Sequence, residues 1–184
     1  MEQRFWGVVP IERAAAFLWF TEGSRYRALI HQFKYHGQWY LAENMGRWFA
    51  SELKVGDFLE GVELIVPVPL HWRRRIMRGY NQSEHIAHGI SRATGIPCCF
   101  SAVKRTVHNP PQAGMKYINR WDNINNIFSV PHPERLIGRH ILLVDDVFTS
   151  GATLLALATQ IHRACNGNVK ISVATLAASS HLVL

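Results

Sequence analysis

Cysteine is scarce in this chain: three in 184 residues, Cys98, Cys99 and Cys165. No Cys-x-x-Cys pair occurs, so the sequence encodes neither a disulfide framework nor a zinc ribbon. Adjacent Cys98 and Cys99 read as reduced packing residues. Ten histidines are scattered, and none forms the His-Glu-x-x-His pattern of a helical zinc site. A P-loop is excluded because no Gly-x-x-x-x-Gly-Lys-Ser/Thr is present. No apolar run reaches the ~18 residues of a membrane span, and the N-terminus lacks a basic stretch leading into an apolar core. Membrane insertion and secretion are therefore not expected, and a reducing cytoplasm is. Internal repeats and low-complexity linkers are absent too.

Acidic residues are also few. Thirteen Asp and Glu against twenty Lys and Arg leave a formal charge of +7. A basic surface suits a polyanionic ligand such as a phosphorylated sugar, a nucleotide or a nucleic acid. The hydrophobic fraction of 48% is ordinary for a globular protein, and 184 residues fit one domain with a small appendage.

The stretch that organises the chain is 141–153, ILLVDDVFTSGAT. Ile141, Leu142, Leu143 and Val144 form an apolar run flanked by polar residues, the pattern of a strand buried on both faces of a parallel sheet. Asp145 and Asp146 follow at once. Then comes a small-residue loop, Thr149, Ser150, Gly151, Ala152 and Thr153, and an Ala- and Leu-rich helical run over 154–164. A loop at a helix N-terminus offers backbone N–H groups and the positive end of the helix dipole to an anion. Gly151 permits close backbone approach, and the hydroxyls of Thr149, Ser150 and Thr153 add donors. Two carboxylates repel a phosphate but suit sugar hydroxyls or a hard cation such as Mg²⁺. A ribose 5-phosphate group satisfies both halves. A receiver domain also uses paired acids, but too little chain follows Asp146 to build its remaining units.

Other elements can be placed from pattern. The spacing around Pro10 predicts a short helix carrying Ala14, Ala15, Ala16, Phe17 and Leu18. Ser24 is an N-cap candidate for a helix over 25–35, which Gly37 ends. Lys34, in the basic turn before that glycine, is placed near a phosphate. A second helix is expected over 39–53, with Leu41, Met45, Trp48 and Phe49 on its buried face. Leu64, Ile65 and Val66 read as a buried strand ended by Pro67. Arg73, Arg74, Arg75 and Arg78 come directly after it, at the sheet edge where open α/β sheets bind ligands, and form an anion trap. A helix follows from near Asn81 to Ala93, stopped by Gly95, and then a strand within 98–103. Residues 109–126 are polar and broken by Pro110 and Pro111. They read as a loop able to close over a reactive ligand. A short strand over 127–130 and a closing strand over 169–176 complete the pattern.

Two segments resemble known families. Val144 to Thr153, VDDVFTSGAT, looks like the phosphoribosyl pyrophosphate (PRPP) binding motif of type I phosphoribosyltransferases. Pro67-Val68-Pro69-Leu70 with Arg78-Gly79-Tyr80-Asn81-Gln82 is similar to the motif pair of the competence protein F-like (ComF-like) branch. Gln112, Arg120 and Asn123 match that branch's Gln…Arg-x-x-Asn spacing, with Pro111 where it usually has Thr. The branch commonly carries an N-terminal zinc ribbon, which this chain lacks. Both a domain cut from a longer protein and a natural short form fit that difference.

The resemblance implies a type I phosphoribosyltransferase-like α/β fold: a parallel sheet flanked by helices, a small N-terminal helical segment over 1–60, a core over 61–184 and a hood loop. It implies Asp145 and Asp146 as the catalytic pair on the ribose hydroxyls, with Mg²⁺ held directly or indirectly. Thr149, Ser150, Gly151, Ala152 and Thr153 would take the 5-phosphate. Pyrophosphate would fall to the backbone of a loop beginning at Val68 and to Arg73, Arg74, Arg75 and Arg78. Lys34, Tyr80, Asn81, Gln82, Gln112, Arg120 and Asn123 are accessory candidates. The implied reaction is phosphoribosyl transfer with loss of pyrophosphate, the acceptor being open. The rival reading is a non-catalytic PRPP sensor or single-stranded-DNA-binding protein of the transformation machinery, with Trp39, Tyr40, Trp72, Tyr80, Tyr117 and Trp121 as stacking candidates. Oligomeric state is left open.

Overall fold

The structure, a computed structural model, describes residues 1–20, 37–107 and 127–179. The helix expected over 25–35 with Lys34 lies outside the described residues. So does the segment carrying Gln112, Tyr117, Arg120, Trp121 and Asn123.

The elements in chain order are β1 (Arg13–Phe20), α1 (Trp39–Val55), β2 (Leu64–Pro67), α2 (Trp72–Arg78), α3 (Gln82–Thr94), β3 (Lys104–Arg105), β4 (Phe128–Ser129), β5 (His140–Phe148), α4 (Ala152–Ala164) and β6 (Lys170–Ser179). Four strands form a parallel sheet in the order β1-β6-β5-β2. Beyond β2 the sheet gains a short fifth rung. Ile65 N–H donates to Pro97 O and Cys99 N–H donates to Ile65 O, both at 2.8 Å.

β5 shows why its sequence is a continuous apolar run. Ile141 and Leu143 face one core with Leu154, Leu157 and Ile161 of α4. Leu142 and Val144 face the other core with Phe49 and Leu53 of α1 and Ile86 and Ile90 of α3. Each of these aliphatic side chains contributes about 1.5–3 kcal/mol by leaving water, and a strand covered on both sides needs them at every position. Cys98 packs into the second core, and burial pushes its thiol up to about 11.

The helix expected around Ala14 to Leu18 is a strand. These residues form β1, paired in register with β6 from Arg13↔Ser172 to Phe20↔Ser179. The alanine preference for helix is worth only tenths of a kcal/mol per residue. A full parallel ladder against the equally small-residue β6 outweighs it. β1 is thus one of the strands of the sheet itself. Of the strand expected within 98–103, only Cys98 bridges the sheet. Lys104 and Arg105 instead pair antiparallel with Ser129 and Phe128 in a separate two-stranded ribbon. β5 runs on through both aspartates to Phe148, and α4 begins at Ala152, two residues before the expected helix.

α1 and α3 cross at two glycines. A β-carbon on Gly46 would stand 2.3 Å from Ile86 O, and one on Gly89 would stand 2.0 Å from Glu43 O. Only hydrogen at these positions lets the backbones meet.

Candidate ligand-binding site

The site is built at the C-terminal ends of β5 and β2. Near the end of β5, Asp145 and Asp146 are half-buried, while the four apolar residues before them are fully buried. Asp145 Oδ1 accepts hydrogen bonds from its neighbour's backbone, Asp146 N–H at 2.9 Å, and from Ser83 Oγ–H at 2.9 Å. Two donors on one oxygen fix the plane of that carboxylate.

The loop after β5 is short: exposed Thr149 and Ser150, then buried Gly151. Gly151 precedes α4 with φ +77°, a conformation that side chains disfavour. Beneath it lies Phe148, whose own ring is backed by Phe5 at 6.3 Å between centroids. Ala152 and Thr153, expected in the loop, form the first turn of α4, where N–H groups have no acceptor within the helix. The Ser150 hydroxyl accepts from Ala152 N–H at 3.4 Å. The loop therefore leads, through an αL glycine, directly into the N-terminus of α4.

The loop after β2 differs from expectation at Val68. Its N–H donates to Val144 O at 2.8 Å, its carbonyl accepts from Asn81 Nδ2 at 3.0 Å, and its side chain is 5% exposed. Val68 anchors the loop, and its N–H is spent in the sheet rather than presented to a ligand. Residues after it then turn into α2, where His71 caps the helix by accepting from Arg73 N–H at 3.3 Å.

α2 is a helix where the sequence suggested a basic loop, and it distributes the four arginines around its turns. Arg75 pairs with Glu84 at 3.0 Å. Arg73 lies over Trp72 at 5.2 Å, and Arg78 donates to Gln82 Oε1 at 3.3 Å. Arg74 is half-buried and bears electrostatically on Arg105. Gln82 is buried, and its Nε2 has no hydrogen-bond partner among the described residues.

Sequence reasoning passed over Ser83 and Arg105. Ser83 follows the Asn81-Gln82 pair directly, so proximity to that motif was its signal. Arg105 had none: it sits in a two-residue strand whose partner is remote in sequence. Its guanidinium lies over Phe128 at 5.6 Å, with Nε donating to Val107 O at 3.3 Å. Burial and then the nearby Arg74 charge lower its proton affinity, while Asp145 raises it. β3, α2 and β5 thus bring two cations and a carboxylate into one field.

An aromatic group flanks this edge. Trp39 and Tyr40, at the start of α1, are each about half exposed, and Trp72 is 58% exposed. Trp39 lies 5.2 Å from the His85 ring, and Tyr80 lies 5.3 Å from it. Burial lowers the His85 pKa, with His88 adding to the effect, and burial raises that of Tyr80.

No group of three or more His, Cys, Asp or Glu side chains able to hold a metal occurs among the described residues. No helix among them is long and apolar enough to cross a membrane.

No protein-family model matches the chain. It is 35% identical over 130 residues to Competence protein F of Haemophilus influenzae, covering 68% of this chain and 57% of that protein. It is 33% identical over 148 residues to the DNA utilization protein YhgH of Escherichia coli, covering 79% and 63%. The chain thus spans about six tenths of the length of these curated relatives. Among solved structures, the allosteric regulatory enzyme of purine biosynthesis and the glutamine PRPP amidotransferase of B. subtilis each match with a TM-score of 0.50 at 20% identity. Each match covers 73% of this chain and 25% of the other. At that identity the likeness concerns the fold, which is of the phosphoribosyltransferase type.

Proposed function

We propose that this chain, a homologue of competence protein F with a phosphoribosyltransferase-type fold, binds PRPP, or a closely related ribose 5-phosphate ligand, at the ends of β5 and β2. One observation carries the reading: a half-buried acid pair, with Asp145 held by Ser83, is followed within six residues by a loop, Gly151 and the first turn of α4. A ribose phosphate has hydroxyls for the acids and an anion for the helix start. Arg74 and Arg105 supply positive charge for a pyrophosphate beside the acids.

Mg²⁺ fits this donor set in one way. Two adjacent carboxylates do not make a cage, but Mg²⁺ is commonly held by one or two carboxylates together with substrate phosphates and water. Asp145 and Asp146 would hold it with the ligand's own oxygens. The ion would neutralise charge on the leaving pyrophosphate. The chain's residues would position the ribose, balance the pyrophosphate charge and keep water from the reacting carbon. This arrangement supports phosphoribosyl transfer to an acceptor as the proposed reaction class.

Isothermal titration of the purified chain with PRPP, with and without Mg²⁺, tests the reading. Micromolar, Mg²⁺-dependent binding that is lost in Asp145→Ala with Asp146→Ala is the expected result. Equal affinity in the double variant would refute the assignment.

A second reading has its own observation. Trp39, Tyr40 and Trp72 expose rings, with Arg73 and Arg75 on α2. Aromatic platforms beside a basic track suit single-stranded DNA, consistent with a formal charge of +7. Affinity for single-stranded DNA should then fall steeply with salt, and a slope near zero would sink this reading.

A further inference from the structure

We propose that Ser83 is a positioning residue for the Asp145 carboxylate and that, with Asn81, it ties the ribose half of the site to the pyrophosphate half. The inference rests on the ligand reading above.

A continuous series of short contacts carries it. Val68 N–H donates to Val144 O at 2.8 Å, which sets the loop after β2 against β5. Asn81 Nδ2 donates to Val68 O at 3.0 Å, while Asn81 Oδ1 accepts from Ser83 N–H at 3.2 Å. Ser83 Oγ then donates to Asp145 Oδ1 at 2.9 Å. The start of α3 therefore holds both half-sites at once. Asn81 and Ser83 are 3% and 4% exposed. Shielded bonds of this kind are stronger than surface ones, and losing one partner leaves the other unsatisfied. Being buried, Ser83 reaches a ligand only through Asp145.

The chemistry needs such a tie. In PRPP the pyrophosphate and ribose are joined through a single oxygen, so their binding groups must stand at a fixed separation. A carboxylate at a strand end turns about two side-chain torsions. Ser83 Oγ–H and Asp146 N–H on the same oxygen stop that turning. A misplacement of about 1 Å is enough to cost a hundredfold in a reacting complex.

The test is titration of the whole chain with three probes in the presence of Mg²⁺: PRPP, ribose 5-phosphate and inorganic pyrophosphate. Ser83→Ala should weaken PRPP and ribose 5-phosphate by about tenfold or more and leave pyrophosphate unchanged. Ser83→Thr, which keeps the hydroxyl, should recover most of that loss. In an Asp145→Ala background, which removes the acceptor of its hydrogen bond, Ser83→Ala should have no further effect. If Ser83→Ala folds poorly by its melting temperature, the near-isosteric Ser83→Cys replaces it and must show the same selective loss. Wild-type binding of PRPP with an unchanged affinity in the variant overturns the positioning role alone. So does an equal loss for pyrophosphate, or a loss that simply adds to that of Asp145→Ala. No PRPP binding by the wild type overturns the ligand reading and this inference together.

Discussion

The ring of Phe148 lies directly beneath Gly151, so close that a β-carbon there would stand 2.7 Å from its Cζ. The loop between β5 and α4 is thus seated on a buried aromatic ring, itself backed by Phe5. Gly151 also has φ +77°, so two separate constraints call for glycine.

Gly151→Ala should therefore lower stability by about 1–2 kcal/mol from backbone strain alone, with the ring contact adding to it. It should also weaken PRPP binding by at least tenfold. Adding Phe148→Leu should relieve the contact and leave the strain, giving partial recovery. Melting curves and titration calorimetry on the single and double variants check this.

The crossing of α1 and α3 makes a second demand. Gly89→Ala would place a methyl group 2.0 Å from Glu43 O and 2.9 Å from Arg47 N, both backbone atoms. Overpacking of this kind costs about 1–3 kcal/mol, more than the ~1 kcal/mol that alanine gains over glycine inside a helix. The urea midpoint should fall. Because α3 carries Ser83, the affinity for ribose 5-phosphate should fall with it.

Arg105 is half-buried beside Asp145 and Arg74. Arg105→Met keeps the stem over Phe128 and removes the charge. Pyrophosphate affinity should drop by about tenfold or more, as for a hydrogen bond to a charged group, with the melting temperature unchanged or raised. Unchanged pyrophosphate affinity would remove Arg105 from the site.

His140 predicts a pH dependence. Its Nε2 lies 2.8 Å from Ser172 Oγ at the far end of β5. Burial lowers its pKa, with Arg13 and Lys170 acting the same way, while Glu12 and Glu63 act against them. The unfolded chain then binds the proton more readily than the folded one. Stability is full above the unfolded value of about 6.5, falls as pH drops through it, and levels off below the folded pKa. His85, also lowered, adds to the same slope. The melting temperature should decline between pH 7.5 and 5, and His140→Gln should flatten part of that decline. An identical slope in the variant would assign the effect elsewhere.

The central strand, the acid pair, the small loop after it and three of the helices were legible in sequence because each is a local pattern. Ile141 to Val144 announce a strand covered on both faces, and Asn81 and Gly95 bracket α3 as its two ends. Ala14 to Leu18 misled because a short run of alanine and large apolar residues suits a helix and a strand about equally. The outcome was decided by β6, more than 150 residues away. α2 was missed because three consecutive arginines, with Arg78 after Ile76 and Met77, conceal a capped turn of helix.

By itself, the sequence determined which atoms are available: two carboxylates at a strand end, hydroxyls and a glycine before a helix, and an excess of positive charge. These are short-range facts, written within a dozen residues. Only the tertiary structure decided how they are used. It committed the Val68 amide to the sheet, turned Asp145 toward Ser83, brought Arg105 from a ribbon remote in sequence within electrostatic reach of Asp145 and spread the arginines of α2 among different partners. Hydrogen bonding and charge act over a few ångströms in space, and separation along the chain does not reveal which groups will come that close.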